Sequence, residues 1–334
     1  YDGSSSTAVS TSLSGLSGGV SYDYVVAARS AAGEGERSTA LSVSTSPPAP
    51  GSLDSVSQTT SSITLSWSAP VVTTGSAVTG YNVYIDDGSS GTPGSVPVSC
   101  GVADALSTTC TASGLTGGVS YSFEVSALST TGESDRSRVL SQLTAPAAVA
   151  GSMTFSSVTT TSMDLAWTAP SGATPTGYIV YRDDGDSATP SIVVFEGDAL
   201  TATASGLTGG TSYSYTVAAL SAAGVGDVSG VSTQSTSPAA PLGLSSVTQT
   251  STSITLSWSA SVEASGGSAV TSYKVYRNDG SSASAALSSS AAHTTADGTT
   301  TSATLSDLSA GLLYSFAVSA VSAAGEGDQS SVLA

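Results

Sequence analysis

The sequence is short of almost everything that builds an active site. Its 334 residues include one histidine, His293, one lysine, Lys274, and two cysteines, Cys100 and Cys110. Charged residues make up 9% and aromatic residues 6%. Two cysteines and one distant histidine are not a zinc ligand set, so no metal and no cofactor is expected. A Ser-His-Asp triad would have to use His293, which lies in a Ser/Ala-rich stretch of solvated character. Basic residues number 7 against 24 acidic ones, a net charge of −17. Such a chain repels phosphate backbones and anionic lipid, so no nucleic-acid partner is expected. No apolar run approaches the ~18 residues of a membrane-spanning helix, which excludes membrane insertion by this segment. There is no Asn-x-Ser/Thr sequon, because Asn82 and Asn278 are followed by the wrong residues, and no Arg-Gly-Asp triplet.

What remains is Ser, Thr, Gly, Ala and Val, with 39% hydrophobic residues. These alternate with polar ones at period two, the pattern of half-buried strands. An internal repeat organises them. SGLSGGVSYDYVVAARSAAGEGERS from Ser14 recurs as SGLTGGVSYSFEVSALSTTGESDRS from Ser113. It recurs again as SGLTGGTSYSYTVAALSAAGVGDVS from Ser205 and SDLSAGLLYSFAVSAVSAAGEGDQS from Ser306. The tyrosines Tyr22, Tyr121, Tyr213 and Tyr314 are spaced by 99, 92 and 101 residues, and Trp67, Trp167 and Trp258 keep step. A period this long is a small domain, not a solenoid unit.

In the second repeat Ile63, Leu65 and Trp67 alternate with polar residues and predict a strand. Tyr81, Val83 and Ile85 predict the next, and Asp87-Gly88 then turns the chain. Cys110 and Ala112 lead to Leu115, and Tyr121, Phe123, Val125 and Ala127 alternate strictly. A last strand covers roughly 138–143. Ser122, Glu124 and Ser126 are expected to face outward, as is Tyr84. Seven short strands in a repeat of this length read as an all-β sandwich.

The recurring tryptophan, the Tyr-x-Val strand, the Leu-x5-Tyr spacing and the closing Gly-x-Gly variants together resemble the fibronectin type III family over the whole chain. The resemblance implies an all-β fold of tandem seven-stranded, immunoglobulin-like β-sandwiches in an elongated array. It also implies that Tyr22, Tyr121, Tyr213 and Tyr314 are tyrosine corners pinning the crossing between the fifth and sixth strands (E and F), and that Trp67, Trp167 and Trp258 are core. The family's usual Pro-Gly between strands E and F is Gly-Gly or Ala-Gly here, which predicts a looser loop. Domains are expected at 1–48 (the C-terminal part of a sandwich), 49–144, 145–236 and 237–334, the last strand clipped. Residues 1–48 lack the first three strands, so the segment is expected to be a window on a longer array. Proline-rich linkers such as Pro47-Pro48-Ala49-Pro50 are expected to be stiff.

Few residues remain as candidate sites. Cys100 and Cys110, ten residues apart, are expected to form a disulfide of the kind exported domains use, so the unreduced chain should titrate no free thiol. Asp86-Asp87-Gly88, Asp183-Asp184-Gly185-Asp186 and Asn278-Asp279-Gly280 are expected to be turn chemistry rather than calcium loops. Ser46, Thr92, Thr144, Thr174, Thr189 and Ser237 sit beside proline or, for Thr144, one residue from it, and suit O-linked glycans as well as they suit a wetted β surface. No catalytic residue stands out, and the segment is not expected to be an enzyme. Three functions compete. The first is a stiff structural rod of an extracellular fibre, appendage or cell surface, whose partners would be neighbouring repeats or copies of itself. The second is a spacer array of a secreted polysaccharide-degrading enzyme, and the third an adhesin or receptor array.

Overall fold

A computed structural model describes residues 10–98, 107–185, 189–263, 266–282 and 284–334. Every regular element among them is a strand. Ala-rich runs such as Ala31-Ala32 meet glycine at once, whereas β-branched and aromatic residues alternate over lengths that suit strands.

The N-terminal part holds two antiparallel ribbons: β1 (Ser21–Tyr24) on β4 (Leu41–Ser44), and β2 (Ala27–Ser30) on β3 (Gly33–Arg37). Its apolar side chains Leu41, Val43 and Val26 are exposed.

The next repeat is a two-sheet sandwich. One sheet joins β5 (Gly51–Gln58), β6 (Ser62–Ser68) and β8 (Thr109–Ser113) in the order β5-β6-β8. The other joins β7 (Val78–Ile85) to β9 (Ser120–Ser129), with β10 (Gly132–Glu133) and β11 (Leu140–Leu143) also paired to β9. The inward residues form one core: Ile63, Leu65 and Trp67 from β6 meet Tyr81 and Val83 from β7 and Phe123 and Val125 from β9.

The third repeat builds the sheet β12-β13-β16 from β12 (Thr154–Ser156), β13 (Ser162–Ala166) and β16 (Thr201–Ser205). Its second sheet contains β14 (Gly177–Arg182), β15 (Ile192–Gly197), β17 (Ser212–Ser221), β18 (Gly224–Val225) and β19 (Ser232–Ser235). Here β15 is a full six-residue edge strand, and it brings Phe195 against the core.

The last repeat has the sheet β20-β21-β24 from β20 (Leu242–Gln249), β21 (Ile254–Ser259) and β24 (Ser302–Leu305). Its second sheet runs β23-β22-β25-β26, from β22 (Val270–Arg277), β23 (His293–Thr294), β25 (Phe316–Ser322) and β26 (Gly325–Gln329). Leu256, Trp258, Tyr273, Val275 and Val318 centre its core.

Three outward assignments fail. Tyr84 is 4% exposed, because the Arg136 guanidinium lies 3.6 Å from its ring centroid and covers it. Ser122 and Ser126 are buried as well, the first hydrogen-bonded to Ser141 and the second to Glu133. Period two places a residue on a face, but long neighbours decide whether water reaches it.

Candidate functional site

Among the described residues no group of three or more His, Cys, Asp or Glu side chains could hold a metal ion. Among the same residues no helix is long and apolar enough to cross a membrane. A shallow depression beside β5 and β11 is lined by Pro50, Leu53, Arg138 and Leu140, with Arg138 its one titratable group. His293 pairs with Val275 on the short edge strand β23. The groups that recur with fixed geometry instead lie at one end of each sandwich, around the loop between strands E and F.

That loop is gripped at one residue from both sides. The Tyr121 hydroxyl accepts a hydrogen bond from the Thr116 amide at 2.9 Å, and Tyr213 accepts from Thr208 at 3.0 Å. Tyr22 and Tyr314 do the same for Ser17 at 2.9 Å and Ser309 at 3.0 Å. The carbonyl of the same residue is held by a threonine at the end of the last strand. Thr45 Oγ1 donates to Ser17 O at 2.8 Å, Thr144 Oγ1 to Thr116 O at 2.8 Å and Thr236 Oγ1 to Thr208 O at 2.7 Å. Each threonine also accepts an amide from the far side of the loop, Val20, Val119 or Thr211, at 3.0–3.1 Å.

Sequence reasoning missed these threonines and misread one of them. Thr144 is fully buried, and so is Ser237, which removes both as O-glycan acceptors in the folded chain. The hydroxyl of Thr144 is committed to backbone, and Ser237 donates at 3.4 Å to Val158 O and to Ala324 O. The available signal was spacing: Thr45, Thr144 and Thr236 each stand 23 residues after their tyrosine. Thr92, Thr174 and Thr189 are exposed and Ser46 is half-buried. Cys110 is buried on β8, while Cys100 lies outside the described residues. Trp67, Trp167 and Trp258 are buried at 5–6% exposure.

The turn after the third strand packs onto the same tyrosine. Asp86 Oδ1 accepts from the amides of Gly88 and Ser122 at 3.3 and 3.0 Å, and Asn278 Oδ1 accepts from those of Gly280 and Ser315 at 3.2 and 3.0 Å. In the third repeat Asp183 Oδ1 accepts from Gly185 N at 3.2 Å, while Asp186 lies outside the described residues. Gly185 and Gly280 sit at φ 91° and 79°, and a Cβ there would come within 3.0 and 2.8 Å of the Tyr213 and Tyr314 rings. Glycine thus serves both the left-handed turn and the close approach of the ring.

A carboxylate network covers the outer face of two repeats. Glu133 Oε1 accepts from the hydroxyls of Ser126 and Tyr84 and from Asn82 at 3.2 Å. Glu326 Oε1 accepts from Ser319 and Tyr276, both at 2.5 Å, and its Oε2 meets Lys274 Nζ at 2.7 Å. The hydroxyl of Ser126, then that of Tyr84, holds Glu133 below the ordinary glutamate value. At Glu326 burial pushes upward, but Lys274, Ser319 and Tyr276 outweigh it and the carboxyl is again lowered. The third repeat has Ala218 and Val225 at these places. A depressed carboxyl contributes stability above its unfolded-state value, ordinarily 4.5, and loses it as pH falls through the lower folded-state value. Lowering the pH from about 6 to about 3 is therefore expected to weaken the first and third complete repeats through this network but not the second. The shift should stay within about 1 kcal/mol per site, because both glutamates are partly open to water. Urea midpoints of the wild type and of Glu133→Gln at the two pH values check it: the variant should lose the part of the acid response that belongs to its repeat.

A family model described as the fibronectin type III domain matches residues 48–142, 145–235 and 239–334. Among curated proteins, exoglucanase B of Cellulomonas fimi is 33% identical over 308 residues, which span 84% of this chain and 24% of that protein. Chitinase A1 of Niallia circulans is 40% identical over 193 residues, 54% of this chain and again 24% of the relative. The chain thus spans about a quarter of the length of these relatives. Among solved structures, a two-domain fibronectin type III segment of chicken tenascin is 20% identical, covers 56% of this chain and 99% of its own, and has a TM-score of 0.31.

Proposed function

The chain belongs to the fibronectin type III family, and from that membership we propose that this segment is a non-catalytic spacer array of a secreted polysaccharide-degrading enzyme. The observation that carries the reading is the kind of relative it matches. Exoglucanase B and chitinase A1 align with it at 33% and 40% identity, over only 24% of their own length. Endoglucanase B of Cellulomonas fimi aligns over 16% of its length. The rest of each relative has room for the domains that cut and bind.

The residues support the same reading. The recurrent groups around the loop between strands E and F are hydroxyls and glycines that hold the loop together. Most of the aromatic side chains, which would be the stacking platforms of a sugar-binding face, are in the three cores. The fibre rod, placed first on sequence grounds, ranks behind the spacer because the relatives are hydrolases. An extracellular location follows from the spacer role, and an oxidising setting would suit a Cys100–Cys110 disulfide. Exposed Thr92, Thr174 and Thr189 stand as O-glycan candidates, with Ser46 partly shielded. An intact mass equal to that of the bare sequence would remove them.

The test is a pull-down and an activity assay on the purified 334-residue chain. It is expected to stay in the supernatant with microcrystalline cellulose and with chitin, and to release no reducing sugar from either. Retention by one polysaccharide would turn the reading to a binding array. Sugar release would overturn it.

A further inference from the structure

We propose that the loop between strands E and F, together with the linker beneath it, is a docking surface for the following repeat, and that its Gly-Gly pair exists to make that joint. The surface is built in the same way at two junctions. At the first, Gly19 O accepts the amides of Thr73 and Gly75 from the next repeat at 3.2 and 3.1 Å, and Ser21 N donates to Thr74 Oγ1 at 3.0 Å. At the last, Thr211 pairs with Gly266 of the next repeat as an antiparallel bridge. The linker lies close beneath both loops: Gly19 and Gly210 donate their amides to Ser46 O and Ser237 O at 2.7 and 2.9 Å.

Each glycine has a steric reason. A Cβ on Gly18 would stand 3.2 Å from Pro48 N, and one on Gly209 would stand 3.2 Å from Ala239 Cα, so the first glycine of each pair lets the linker pass. The second, at φ 69° in both loops, turns its carbonyl toward the neighbour. The neighbour answers with glycines of its own. A Cβ on Gly75 would lie 2.6 Å from Gly19 C, and one on Gly267 would lie 1.9 Å from Gly210 O. A second contact acts on the other side of the last linker. Thr160 Oγ1 donates to Asp328 Oδ2 at 2.5 Å, and a Cβ on Gly327 would meet Pro238 O at 1.9 Å. Two contacts flanking one linker resist bending in more than one direction. The Gly-Gly that promises a looser loop from sequence is thus, at these junctions, a close-approach surface. The same pair stands in the second repeat as Gly117-Gly118. The joint does not depend on the spacer reading, since a fibre or an adhesin would use it equally.

Gly267→Ala tests it in the full chain. Gly267 is outside the left-handed region, so alanine adds only the clash with Gly210 and Thr211 across the joint. Gly230→Ala is the control, because a Cβ there meets nothing within 4 Å. Hydrogen exchange should speed up about tenfold in the peptides holding Gly210 and Gly267, while the melting of both flanking repeats and the control stay at wild type. Exchange no faster than in Gly230→Ala overturns the proposal. If Gly267→Ala melts its own repeat early, Gly327→Ala decides: faster exchange in the peptide holding Pro238 supports the joint, and wild-type exchange there overturns it.

Discussion

Trp167→Ala is expected to destabilise the 145–236 repeat by about 3–5 kcal/mol, and to cost more than Trp67→Ala or Trp258→Ala in their own repeats. The three tryptophans occupy one position in three cores, but their neighbours differ. Trp67 meets the ring of Tyr81 at 5.3 Å and Trp258 meets Tyr273 at 5.5 Å. Trp167 sits against two rings, Tyr178 at 5.8 Å and Phe195 at 5.6 Å, both edge-on. Each such pair is worth about 0.5–1.5 kcal/mol beyond the area it buries. Phe195 rides on β15, which has no six-residue counterpart among the described residues of the other two repeats, where a single bridge at Val98 and the two-residue β23 stand instead. Removing the indole therefore opens a cavity and also unseats an edge strand. Calorimetry of the full chain should show one transition lowered by about 12 °C or more, at roughly 4–8 °C per kcal/mol for a domain of this size. A loss at Trp167 no greater than at Trp67 would show that the second ring contributes nothing.

Much of this architecture is legible in the residues because a two-residue period and a domain-length repeat are strong signals. Ile63, Leu65 and Trp67 fall in the core as their alternation requires, and the Leu-x5-Tyr spacing leads to the tyrosine hydroxyls that meet Thr116 and Thr208. What period two could not give is the second layer of contacts. Tyr84 is hidden by Arg136, 52 positions along the chain. Ser126 is covered by Glu133, a contact set by the turn from β9 to β10. The joints were illegible for another reason. The absence of a side chain reads as looseness until the partner backbone that fills the space is known, as Gly210 O does opposite Gly267. Thr144 shows the remaining difficulty. A threonine at the edge of a proline-containing linker is an exposed hydroxyl by composition, and only its constant distance from Tyr121 marks it as internal.

That internal role makes Thr236→Val the sharpest single test of the loop. Valine keeps the shape of threonine, so packing is nearly unchanged and the loss is one of hydrogen bonding. Thr236 is 1% exposed, and its hydroxyl donates to Thr208 O at 2.7 Å while accepting Thr211 N at 3.0 Å. With valine both backbone groups lose their side-chain partner. A buried group left without a partner costs about 1–3 kcal/mol, so the variant should lose roughly 2–4 kcal/mol. Thr236→Ser keeps the hydroxyl and should recover most of it. Tyr213→Phe releases the other end of the same residue, the Thr208 amide at 3.0 Å. Because Tyr213 and Thr236 hold one residue, Thr208, by its amide and by its carbonyl, their effects should not add. Once either grip is gone the loop relaxes and water reaches the other, so the double variant should fall short of the sum by about 0.5–2 kcal/mol. Urea denaturation of the four chains, wild type, two singles and the double, measures that coupling, and strict additivity would show that the tyrosine and the threonine act on the loop independently.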